Sequence, residues 1–258
     1  MLSNSEIKNT LDKYYEQFNC IDFIENDPIS IAHKFTRKED IEIAGFLSAT
    51  LAWGNRKAII KSGNQLISWM DNSPYDFIRN STENDLRPFE DFKYRTFNGI
   101  DCLFFLKSLK NIYTKHGGLE PVFTSAYTKD SSIKDAIINF RKVFFEIPSP
   151  ERTQKHVANP NKNSASKRIN MFLRWMVRKD NNEVDFGIWN NIKPQDLMLP
   201  LDVHTGTIAR EFGLLCRKQN DWKALEELMT KLRLFDPTDP VKYDFALFGI
   251  GVNGVDII

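Results

Sequence analysis

Apolar positions along the chain recur at helical rather than strand spacing, so the sequence predicts an all-α protein. An opening helix follows Ser3 or Ser5 and carries Ile7, Leu11, Tyr14, Tyr15 and Phe18 on one side. A more apolar one runs from about Asp40 through Ile43, Phe46, Leu47 and Leu51, and another starts near Asn55 and ends at Asn72-Ser73-Pro74. Asp101 is placed to cap a helix through Leu103, Leu106, Leu109 and Ile112, stopped by Gly117-Gly118, whose residues tolerate a left-handed backbone. Ile133 to about Phe145 is helical, and 148–166, rich in Pro, Asn and Ser, is a loop. Ile169, Phe172, Leu173 and Met176 then mark a helix whose first turn holds Lys167 and Arg168. Asp202 reads as the N-cap of a short helix closed by Gly213, Asp221 caps the next, and Asp239-Pro240 opens the last in the favoured cap-then-proline order.

Composition adds limits. With 258 residues, 41% apolar, 20 Phe and 5 Trp, the chain can bury a large core. One helical domain over 1–258, built as two interleaved lobes, is expected. No apolar run approaches the roughly 18 residues a bilayer span requires, and Met1 to Asn9 is polar, so a cytoplasmic protein with no membrane partner is expected. Cys20, Cys102 and Cys216 are scattered, too few for a four-thiolate cluster and without metal-ligand spacing; neither a metal nor a cofactor is expected.

The formal net charge of +1 conceals a local excess. Arg152, Lys155, Lys162, Lys167, Arg168, Arg174, Arg178 and Lys179 make eight basic residues in a stretch without Asp or Glu. Ordinary exposed helices intersperse signs to gain i,i+4 pairs. The run therefore suggests a nucleic-acid surface, with Arg152, Lys155, Lys162, Arg168 and Arg174 as phosphate contacts, although a solvated helix face also explains a charge run.

Lys167 opens an apolar helix, and 35 positions later Asp202 sits in Leu201-Asp202-Val203-His204-Thr205. This order resembles the helix-hairpin-helix DNA glycosylase superfamily, which carries a lysine at the start of the hairpin's second helix and then a Val-Asp-x-His-type segment. "PLDVHTGTIAREFGL" from Pro200 through Leu214 is similar to that segment and its continuation, "YDFALFGIGV" to the family's closing helix, and "IEIAGFLSATLAWGNRKAI" to the helix opening its first lobe. The likeness covers about residues 40 to 252. The long Lys-to-Asp interval is nearest to the archaeal 8-oxoguanine glycosylases, and across the whole chain the sequence also resembles a bacterial family known as a domain of unknown function. Where the glycosylase hairpin carries glycines, this chain has Asn159-Pro160-Asn161-Lys162-Asn163-Ser164-Ala165-Ser166-Lys167-Arg168, a divergent hairpin in which Asn can supply left-handed backbone.

The resemblance implies two helical lobes with a cleft, a DNA partner, and base-excision chemistry. Asp202 would stabilise positive charge developing on the sugar, which suits a carboxylate fed by helix N-terminal N–H groups. Lys167 would attack C1′ to give a Schiff base, adding lyase activity. Trp53, Phe172 and Trp175 are candidates for holding an extruded base, with His204 beside Asp202. Each residue has a plainer reading: Lys167 as an exposed first-turn lysine, Asp202 as a simple cap, His204 bonded to backbone, the aromatics as core. A non-catalytic nucleic-acid-binding protein with the same fold is the alternative function, and the same basic surface would accept RNA.

Overall fold

The computed structural model describes residues 2–255, and it is predominantly helical, with one short hairpin of two two-residue strands. In chain order the longer helices are α1 (Asn4–Phe18), α2 (Lys38–Leu51), α3 (Arg56–Ser68), α4 (Pro74–Asn80), α5 (Gly99–Lys115), α6 (Leu119–Asp130), α7 (Ile133–Phe144), α8 (Lys167–Val177), α9 (Val203–Glu211), α10 (Trp222–Phe235) and α11 (Tyr243–Asn253). The chain forms two compact units, one from Ile24–Asn159 and the other from the residues up to Phe23 together with those from Pro160 onward. No helix among the described residues is long and apolar enough to cross a membrane.

Local chemistry sets most helix starts. Ser3 and Glu6 form a reciprocal capping box at α1. Asn55 caps α3 through the Ala58 N–H, Asp202 caps α9 through Thr205, and Asp221 caps α10 through Ala224. The start of α5 differs from the sequence expectation. Asn98 is the cap, and Asp101 is its partner three residues on, closing the box from inside the helix. Gly117-Gly118 ends α5 but does not begin a loop. Gly118, at φ 115°, leads directly into α6, where Pro121 falls in the first turn and sacrifices no helical hydrogen bond.

The middle unit is packed around phenylalanines. Phe46, Phe105 and Phe140 are each at most 3% exposed and, with Phe144, form tilted, edge-on and stacked pairs whose centroids lie 4.8 to 5.9 Å apart. The strands Lys93–Tyr94 and Phe97–Asn98 turn the chain into α5, where Gly99 is pressed so closely on the Glu90 carbonyl that an added Cβ would overlap its oxygen.

In the end unit, α1 and α9 both pack on α11. From Ile169 to Val177 every residue of α8 is buried, so this helix is enclosed on all sides and only its first turn meets solvent. Enclosure buries Arg174 and Arg178, and both are neutralised by acids from elsewhere in the unit. The Arg178 guanidinium donates to Asp185 at 3.1 Å, Asp239 at 2.8 Å, Asp180 at 2.5 Å and the Tyr15 hydroxyl at 2.8 Å. Arg174 donates to Asp185 at 3.2 Å and to Asp244. Burial opposes the Arg178 charge, but the surrounding carboxylates raise its pKa above the ordinary arginine value.

Candidate functional site

Lys167 and Asp202 meet. The Lys167 Nζ stands 3.4 Å from Asp202 Oδ2, with the lysine side chain 32% exposed and the carboxylate 17%. The other carboxylate oxygen, Oδ1, accepts the Thr205 N–H at 2.9 Å, so the cap fixes the Asp202 rotamer and leaves Oδ2 for the lysine. The turn that delivers Lys167 is made without glycine. Asn163 (φ 61°) and Ser166 (φ 51°) take the left-handed conformations, and Ser166 passes directly into α8 without a side-chain cap.

Asp244, in the first turn of α11, is a further acid of the site that its sequence did not single out. Burial raises its carboxyl to about 7; the charges of Asp202 and Asp185 push the same way, while Arg174 and Lys167 oppose them. Asp244 thus couples electrostatically to the Lys167–Asp202 pair while it is itself paired with Arg174, and one basic partner of each pair lies on α8. Arg168, half-buried beside Lys167, is lowered to about 10 by burial and remains a cation at neutral pH.

The other expected residues are dispersed. Arg174 is 3% exposed and committed to Asp185 and Asp244, which removes it as a phosphate contact: its charge is already matched and no surface is offered. Lys155 and Lys162 are exposed, and Arg152 bonds Asp101 at 2.7 Å and the Thr96 carbonyl at 3.2 Å. Because Arg152 and Lys155 belong to the middle unit and the rest to the end unit, the basic run is not one helix face. Phe172 and Trp175 are fully buried; Phe172 packs edge-on against Trp189 at 5.4 Å, so both are core residues and not walls of an open pocket. Trp53, in the middle unit, is half-buried, edge-on to Tyr94 at 5.2 Å. His204 is exposed and edge-on to Phe248 at 6.2 Å, an aromatic of the YDFALFGIGV helix.

Chemically, the arrangement offers an amine and a carboxylate at near hydrogen-bonding distance, both partly solvent-accessible, backed by a buried acid and arginine. Among the described residues no group of three or more His, Cys, Asp or Glu is placed to hold a metal ion. No curated protein and no solved structure matches the chain. One family model does, that described as "Protein of unknown function (DUF2400)", over residues 27–253, far more than half of the sequence. The chain therefore belongs to the DUF2400 family.

Proposed function

We propose that the protein is a DNA base-excision glycosylase with lyase activity, in which Lys167 is the nucleophile and Asp202 the carboxylate that stabilises charge on the sugar. The observation that carries this reading is the 3.4 Å approach of Lys167 Nζ to Asp202 Oδ2, between two residues 35 positions apart in an order that resembles the helix-hairpin-helix glycosylases. In the proposed step the Lys167 amine forms a bond to C1′ as the C1′–base bond breaks, and the departing base takes the electron pair and a proton. Ring opening then gives a Schiff base, from which the 3′ phosphate is eliminated, and water releases the lysine. Asp202 opposes the positive charge that develops on the sugar as the base leaves.

The test is incubation with duplexes carrying single lesions or an abasic site, with borohydride added to reduce any Schiff base to a stable protein–DNA adduct. Wild-type protein should be trapped through Lys167. Lys167→Gln should abolish trapping while retaining duplex binding, and Asp202→Asn should slow base removal about 10²-fold, the scale of one acid–base contribution. Trapping that persists in Lys167→Gln would remove the lysine from this role. The burial of Phe172 and Trp175, which leaves neither to hold an extruded base, favours the second reading, a nucleic-acid-binding protein without the reaction. Its signature in the same experiment is salt-sensitive duplex binding with no adduct from any lesion.

A further inference from the structure

From the loop after α9 to the first residue of α10, the segment Arg217–Trp222 bonds through two adjacent residues to Asp202 and to the turn that leads into Lys167. The Asn220 amide donates to the Asp202 backbone carbonyl at 2.8 Å. Asn220 is itself held by Arg210, whose Nη2 donates to Asn220 Oδ1 at 2.7 Å and to the carbonyls of Arg217 at 2.7 Å and Lys218 at 2.9 Å. Asp221 faces the other way. It accepts from the Asn163 side chain at 2.8 Å, its backbone bridges Ser164, and the next N–H, from Trp222, reaches the Asn163 carbonyl at 3.0 Å. Asn163 is the left-handed residue that starts the turn into Lys167. Asp221 is in turn clamped by Arg217 Nε and Nη2 at 2.7 and 2.5 Å. Close fit is built in on the Asp202 side as well: a Cβ at Gly206, in the first turn of α9, would lie 2.6 Å from Asn220 Oδ1 and 2.9 Å from Arg210 Nη1.

We propose that Arg217–Trp222 is a brace that sets the separation of Lys167 and Asp202, with Asn220 and Asp221 as positioning residues. This rests on the reading of that pair as the reacting groups. Lys167 and Asp202 lie on separate elements, the first turn of α8 and the cap of α9, 35 positions apart in the chain. Bonds from consecutive residues of one short segment convert two independent positions into one fixed distance. A misplacement of about 1 Å in such a pair can cost about 10²-fold in rate.

The experiment has two arms. In the first, borohydride trapping on an abasic-site duplex is followed in single turnovers at saturating duplex. Asn220→Ala, Asp221→Ala and Gly206→Ala should each slow trapping about 10- to 100-fold with duplex affinity unchanged. Asp221→Asn, which keeps an acceptor for Asn163, should recover most of the rate. The second arm reads amide hydrogen exchange in the DNA-free protein. Asn220→Ala should speed exchange at the Ile169 and Asn170 amides in the first turn of α8, and Asp221→Ala should speed it at Thr205, each variant loosening the end it does not touch. If wild-type protein forms no adduct, the catalytic reading falls, and these cross-effects alone decide the brace. Unchanged exchange at the remote end, or normal trapping in all three variants of a wild type that traps, would overturn it.

Discussion

Replacing Asp244 by Asn should flatten the dependence of stability on pH. In the folded protein burial holds this carboxyl at about 7, against an ordinary value of 3.8. Between those values the native state keeps a proton that the unfolded chain has released, so the unfolded state binds fewer protons and stability falls as pH rises. The loss begins near the unfolded value and is complete once pH has passed the folded one. From pH 5 to pH 8 about two pH units of that window are crossed, which at roughly 1.4 kcal/mol per unit is a decline of about 3 kcal/mol attributable to this group. The Asp244→Asn side chain would keep the shape and a hydrogen bond to Arg174 but have no proton to lose. Urea titrations at pH 5, 6, 7 and 8 should therefore show the variant gaining on the wild type by about that amount across the series, at similar m-value. Asp236 works in the opposite sense: although burial opposes its charge, Lys242 and Thr238 lower its carboxyl, and the stability it contributes is lost as pH falls below the ordinary carboxylate value. A difference between the two proteins that does not vary with pH would refute the assignment of a raised, buried carboxyl to this position.

Other changes should separate surface from interior charge. Lys155→Ala with Lys162→Ala should reduce the slope of log affinity for duplex DNA against log salt by up to about 2, at roughly 0.9 per phosphate contact, and the slope for Arg174→Lys should match that of the wild type. Arg178→Met should destabilise the protein by about 3–5 kcal/mol in thermal or urea unfolding, because Asp180, Asp185 and Asp239 lose the guanidinium between them. Gly99→Ala should cost about 3 kcal/mol, since its methyl would displace the Glu90 carbonyl and the chain turning into α5.

Features that depend on neighbours in sequence were legible in it. Asp202 and Asp221 cap helices through residues three positions away, so a capping residue before an apolar run is enough to find them, whereas Ser3 is one of two candidates for its helix and Asn55 only an approximate start. Asp101 lies one turn inside the true cap, Asn98, because the cap and its box partner are both acceptors three residues apart and the local pattern does not say which is which. Burial of charge was not legible. Arg174 and Lys155 look alike in the basic run, and only Asp185 and Asp244, 11 and 70 positions beyond Arg174, make the first an interior residue. A resemblance of order points to Lys167 and Asp202, but Asn220 and Asp221 carry no comparable signal. Their roles depend on Asn163, Asp202 and Arg210, three separate places in the chain, and Asp221 already had a sufficient local explanation as a cap.

The way the end unit is assembled has a consequence for the order in which a nascent chain can fold. All of Ile24–Asn159 has left the ribosome while much of the other unit is still unsynthesised, so the phenylalanine core can close early. Helix α1, with Ile7 and Leu11 at most 4% exposed in the finished protein, is made first but packs on α11, a contact it cannot make until Tyr243–Asn253 emerges. At about 5–20 residues per second that delay lasts on the order of ten seconds or more. Throughout it an apolar helix face is available to a chaperone at the ribosome, and the contact that completes the unit spans nearly the full length of the chain, the kind of closure that slows folding most.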